Sequence, residues 1–154
     1  MWIKKIALCL CVGTLSYTTL SVAEQCPSIS EIKHLSLHGQ WKAYDSDTGV
    51  ALSQKRLNDV LQAVDQFALA EWVATKNDTG TIHCYYRDKH GSNLEAYFAT
   101  DHYHPQNLNQ NWYQVTGYMH CAAGMKKCLF QNDTVAQPQT TILAKTKPIH
   151  AHAT

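Results

Sequence analysis

Beyond its first two dozen residues the chain has no apolar run near the ~20 residues that a membrane-spanning helix needs, which excludes a later span by length. It also lacks an excess of either charge: 13 Lys and Arg stand against 12 Asp and Glu in 154 residues. A domain that neutralises phosphates carries a basic excess or a basic stripe, so nucleic acid is not an expected partner. The motifs G-x-S-x-G and H-E-x-x-H and the P-loop are all missing, so no nucleophile, zinc or nucleotide chemistry can be assigned by motif. Cys-x-x-Cys, the spacing favoured by zinc knuckles and thioredoxin-like centres, is missing too. No internal repeat occurs. No catalytic residue, no cofactor and no complete metal site can be read from this chain, and an enzyme is not the expectation.

The first 23 residues have the organisation of a secretory signal peptide. Lys4 and Lys5 precede an apolar stretch over about 6–15, and Ser21 and Ala23 are the small residues that signal peptidase takes at minus three and minus one. The expectation is an exported chain, secreted or periplasmic, that begins near Glu24. No membrane anchor is expected in that mature form. Cys9 and Cys11 lie within the apolar stretch, and Cys26 follows Glu24 and Gln25, so no cysteine has the placement of a lipid attachment site. Removing Lys4 and Lys5 leaves 13 − 2 = 11 basic residues against 12 acidic ones, close to neutral. Residues 24–131 are read as one domain and 132–154, which has no hydrophobic periodicity, as a flexible tail.

Four cysteines remain after cleavage: Cys26, Cys84, Cys121 and Cys128. An even number in an exported chain points to disulfides, and four permit three pairings. The favoured one joins Cys121 to Cys128 across a short loop containing Gly124, and therefore Cys26 to Cys84.

Ser28 followed three residues later by Glu31 has the form of a helix capping box. Trp41 and Ala43 alternate with Lys42 and Tyr44, which predicts a strand before the turn-forming DSDTG. Leu57, Val60, Leu61 and Val64 fall at helical spacing, which predicts a helix over 54–66. The following FALAEWVAT alternates instead, with Phe67, Leu69, Glu71 and Val73 on one face of a strand. Two β-rich runs flanking residues 88–93 predict a hairpin, with Cys84 on its core face. A third strand is expected over 112–121. The sum is an α+β domain, an antiparallel sheet with one or two short helices stapled by disulfides.

The segments CPS, GQWKAY, QFALAEW, GTIHCYY and CAAGMKKCLF resemble a family of small exported bacterial domains of unknown function, seen among others in intracellular gammaproteobacteria. The resemblance spans most of residues 26–130. It implies two disulfides and a sheet, and no functional residue.

All nine histidines follow the leader. His102 with His104, and His150 with His152, have the His-x-His spacing that can place two imidazoles on one side of an extended segment. Asp101, His83 or His120 would have to complete such a set, and the bland alternative is a polar loop of titrating surface groups. Histidines also gain charge as pH falls through ~6.5, which makes a change in association or partner affinity conceivable. His83 with Asp88 or Glu95 is the acid–base pairing nearest in sequence. Asn77-Asp78-Thr79 and Asn132-Asp133-Thr134 are glycosylation sequons that matter only in a eukaryotic host. Tyr103, Trp112, Tyr113 and Tyr118, around an amide-rich loop, are the candidate binding surface, since aromatics anchor interfaces and stack on sugars. The functional expectation is a small binding domain for a protein or glycan partner. Its competitor is a metal-binding or hydrolytic protein built on His102 and His104.

Overall fold

A computed structural model of the chain describes residues 23–37, 40–74, 80–106 and 110–132. The leader and tail readings lie outside these residues apart from Ala23 and Asn132, as do His38, His150 and His152. The described residues form α1 (Ile29–Lys33), β1 (Lys42–Asp45), α2 (Gln54–Ala63), β2 (Gln66–Ala74), β3 (Gly80–Arg87), β4 (Asn93–Pro105), β5 (Tyr113–Val115), β6 (Tyr118–Cys121) and β7 (Phe130–Asn132). A single 3-10 turn, Met125–Lys127, precedes Cys128.

Local chemistry explains where each helix starts. In α1 the Ser28 hydroxyl accepts from the Glu31 N–H at 3.2 Å, and the Glu31 carboxylate accepts from the Ser28 N–H at 2.7 Å, which is the reciprocal capping box. In α2 the Ser53 hydroxyl accepts from the Arg56 N–H. The helix ends at Ala63, three residues earlier than the spacing predicts, because Val64 turns to φ −59°, ψ 130° and starts the extended path into β2. Alternation prevails over helical spacing there because Gln66 and Phe67 already pair with Arg87 and Tyr86 of β3.

The strands run in the order β1-β4-β3-β2-β6-β5, and β7 pairs with β4 as well. Every pairing is antiparallel. The 13-residue β4 takes β3 along one edge, and takes β1 and then β7 along the other. Ala43, Phe98, Cys84, Ala70 and Cys121 lie in register across five strands and define the core face. Ile32 of α1, with Val60 of α2 and Val64 just after it, buries into that same cluster, so both helices cover one face. Tyr86 meets Phe67 and Phe98 edge-on at 6.0 and 5.8 Å.

Two irregularities depart from the sequence reading. The register of β2 on β3 shifts between Phe67, opposite Tyr86, and Leu69, opposite Tyr85, so Ala68 is an extra residue. Phe67 therefore turns to the core face, away from Leu69, Glu71 and Val73. The strand expected over 112–121 is instead a hairpin of β5 and β6, turning at Thr116 and Gly117, where Gly117 has φ 82°.

Both disulfides form in the favoured pairing, Cys26–Cys84 and Cys121–Cys128, with Cα atoms 5.8 and 5.5 Å apart. All four cysteines are buried. Among the described residues no helix is long and apolar enough to cross a membrane.

Trp72 lies over Gly80, and its Nε1–H donates to the Tyr103 carbonyl at 2.8 Å. A Cβ at position 80 would stand 1.9 Å from that nitrogen. Gly80→Ala is therefore expected to cost about 1–3 kcal/mol, the range for overpacking, and Trp72→Phe should recover part of the loss in a double mutant followed by urea denaturation. The two bridges close loops of very different length, with sequence separations of 58 and 7. Replacing both cysteines of the first pair by alanine should lower stability by about 4 kcal/mol, and of the second by about 2.5 kcal/mol, a difference readable from paired denaturation curves.

Candidate functional site

Side chains alternate along each strand, so the residues between the core positions all point to the face that neither helix covers. Cross-strand register arranges them in rows. Leu69, Tyr85, Tyr97 and Tyr44 make one row, and Glu71, His83, Ala99 and Lys42 the next. On the far edge of β2, His120 stands opposite Glu71, and Tyr113 of β5 stands opposite His120.

Glu71 is the centre of this face. Its Oε1 lies 3.1 Å from His83 Nδ1 and 3.2 Å from the Tyr85 hydroxyl, and its Oε2 lies 2.8 Å from His120 Nε2. An ionised carboxylate can only accept, so both imidazole nitrogens and the phenol are the donors. This assigns the Nδ1–H tautomer to a neutral His83 and the Nε2–H tautomer to a neutral His120. The Glu71 side chain is only 15 % exposed, with His83 and His120 at 19 % and 20 %. The His83 hydrogen bond holds the Glu71 carboxyl below its ordinary value of 4.5, and burial opposes this less than the three donors promote it. Burial, then the charge of Glu71, pushes the Tyr85 phenol upward, so it stays a donor. Burial raises the Tyr97 phenol as well.

Aromatic rings continue the network sideways. His83 sits 4.6 Å from Tyr97, and Tyr97 stacks on Tyr44 at 5.5 Å. His83 also lines a groove of about 100 Å³ with Lys42, Tyr44, Thr81, Tyr97 and Asp101. The Thr81 hydroxyl donates to Asp101 at 2.7 Å. The groove and its surroundings thus offer a partner an ammonium, a carboxylate, an imidazole edge and phenol rings on a preformed sheet.

The four aromatics predicted as a binding surface divide into two pairs. Tyr113 and Tyr118 are 50 % and 43 % exposed and lie on the open face, with ring centroids 6.0 and 6.4 Å from His120. Tyr103 and Trp112 are buried instead. Tyr103 packs on Phe130 at 5.3 Å and donates its hydroxyl to Glu24, and Trp112 Nε1–H donates to the Leu129 carbonyl. Their large apolar bodies fill the seam where β7 and the 129–130 segment join the sheet.

The histidine readings change in a similar way. His102 is the extra residue of a β4 bulge, at φ 69°, so it breaks the alternation that would aim it with His104. His104 bonds the Gln131 side chain. Among the described residues no group of three His, Cys, Asp or Glu is placed to hold a metal ion. His83 pairs with neither Asp88 nor Glu95: Asp88 caps its own turn through the N–H groups of His90 and Ser92, and Glu95 faces Arg56. The residue that sequence reasoning passed over is Glu71. Its trace in the sequence is a lone charge inside the otherwise apolar FALAEWVA.

Because Glu71 titrates lower folded than unfolded, its ionised form adds stability above about 4.5, and that stability is lost as pH falls through the folded value. Glu71→Gln should cost about 1–3 kcal/mol at neutral pH by leaving half-buried donors poorly matched. It should also flatten the fall in urea midpoint expected of the native protein from about pH 5 to about pH 3. An unchanged acid limb in the variant would remove Glu71 from this role.

No family model, no curated protein and no solved structure matches this chain.

Proposed function

We propose that the chain is a small exported binding domain, secreted or periplasmic, that holds a protein partner against the open face of its sheet. The observation that carries this reading is the row of half-buried to exposed tyrosines and histidines crossing the strands on the side opposite the helices. Tyrosine supplies large, rigid and amphipathic contact area with little rotamer entropy to lose, and such surfaces suit macromolecular partners. The groove of about 100 Å³ beside His83 is too small to enclose a ligand, so a partner there would be held by surface contact. A leader of signal-peptide form and two buried disulfides support the exported address. The likeness to small exported bacterial domains agrees with it and names no ligand.

A glycan is the second reading, favoured by the phenol rings of Tyr44 and Tyr97 beside the polar pair Thr81 and Asp101. The competing metal or hydrolytic reading receives no support from the placement of His102 and His104.

A photo-crosslinking amino acid placed at Tyr118 in the producing cell should yield a discrete protein adduct, whereas one at Asp59, on the exposed side of α2, should not. Adducts of equal strength from both positions, or from Asp59 alone, would overturn the open-face reading. Retention of the native domain on a glycan array, abolished by Tyr97→Ala, would replace the protein partner by a sugar.

A further inference from the structure

A second recess lies at the end of the sheet where β2 begins. The bulge at Ala68 and a further register shift between Tyr85 and Arg87 on β3 fall side by side there. Small side chains at Ala68 and Ala122 leave space unfilled. The result is a hollow of about 440 Å³ whose walls include Leu69, Tyr85 and Leu94, with Arg87 at its rim. That volume is within the ~300–1,000 Å³ of small-molecule sites, which combine apolar walls with a few placed polar groups.

Arg87 is the placed polar group. It is exposed, and its Nε–H donates to the Asn93 side chain at 3.1 Å, which holds the guanidinium beside the hollow. Its terminal N–H groups make no hydrogen bond to a described residue, and no described carboxylate lies within 4.0 Å of it. A held guanidinium with two donors to spare matches a carboxylate in bidentate geometry.

We infer that this hollow binds a small apolar carboxylate, an aromatic or short aliphatic acid whose carboxylate pairs with Arg87 while its body lies on Leu69, Tyr85 and Leu94. The site adjoins the open face and shares Leu69 and Tyr85 with it, but its ligand and its anchor, Arg87, are distinct from those of the open-face reading. The acid is bound, not transformed.

The test titrates 2-naphthoate and 2-naphthalenemethanol into the oxidised, isotope-labelled protein and follows amide chemical shifts. Shifts should map to Ala68, Leu69, Leu94 and Ala122, with the anion bound about tenfold more tightly than the alcohol. Arg87→Gln, at an exposed position, should remove that preference and leave the affinity for the alcohol unchanged. Ala122→Trp should fill the hollow and abolish both. Shifts confined to other regions, a preference for the anion that survives Arg87→Gln, or equal affinity for both probes in the native protein would each overturn the proposal.

Discussion

The Cys26–Cys84 bridge is the constraint on which the arrangement of this domain rests. Cys84 occupies a fully buried position on the core face of β3, and the covalent link brings the segment around Cys26 down onto it. Three consequences follow within a few residues. Glu24 pairs with Phe130 through both backbone hydrogen bonds and gives β7 a neighbour on its outer side. The Pro27 carbonyl accepts from the Tyr86 hydroxyl, satisfying a phenol that would otherwise be buried without a partner. Ser28 then starts α1 directly over the core, where Ile32 is completely buried. A domain of this size has a limited core, and a crosslink that removes freedom from the unfolded chain compensates for part of that limit.

With the helices held on one face, the other face can be polar, and its chemistry follows from strand parity. Glu71 is tolerated at 15 % side-chain exposure because three donors converge on it from two neighbouring strands, His83 and Tyr85 from β3 and His120 from β6. Without them the burial of a carboxylate would cost several kcal/mol. The same convergence fixes the orientations of both imidazoles, so the open face has a preset form, as the proposed binding role requires. Preset side chains lose less entropy on association, which is how a modest surface gains affinity.

Much of the fold was legible in local patterns. The Ser28 and Glu31 box, the alternation about Trp41, the hairpin around 88–92 and the pairing of the four cysteines all depend on neighbours close in sequence or on simple loop closure. The misplacements share one cause, the insertion of a residue or a turn that changes parity. At Ala68 a bulge reverses Phe67, at His102 a bulge separates two histidines that spacing had placed together, and at Gly117 a turn divides one expected strand into two. A single added residue flips every following side chain, so errors of this kind carry directly into the choice of site. The candidate site was only partly legible: Tyr113 and Tyr118 lie on the open face, Tyr103 and Trp112 lie in the core, and Glu71 went unassigned.

By itself, then, the sequence determined the class of domain, its helix starts, its hairpin and its covalent framework, because capping, alternation and loop closure act over short distances along the chain. Only the tertiary structure decided which aromatics face solvent and that Glu71, His83 and His120 share one site. Those residues are 12 and 49 positions from Glu71 and meet only because β2 pairs with β3 on one edge and with β6 on the other. Strand order is a property of the whole sheet, and no local pattern encodes it.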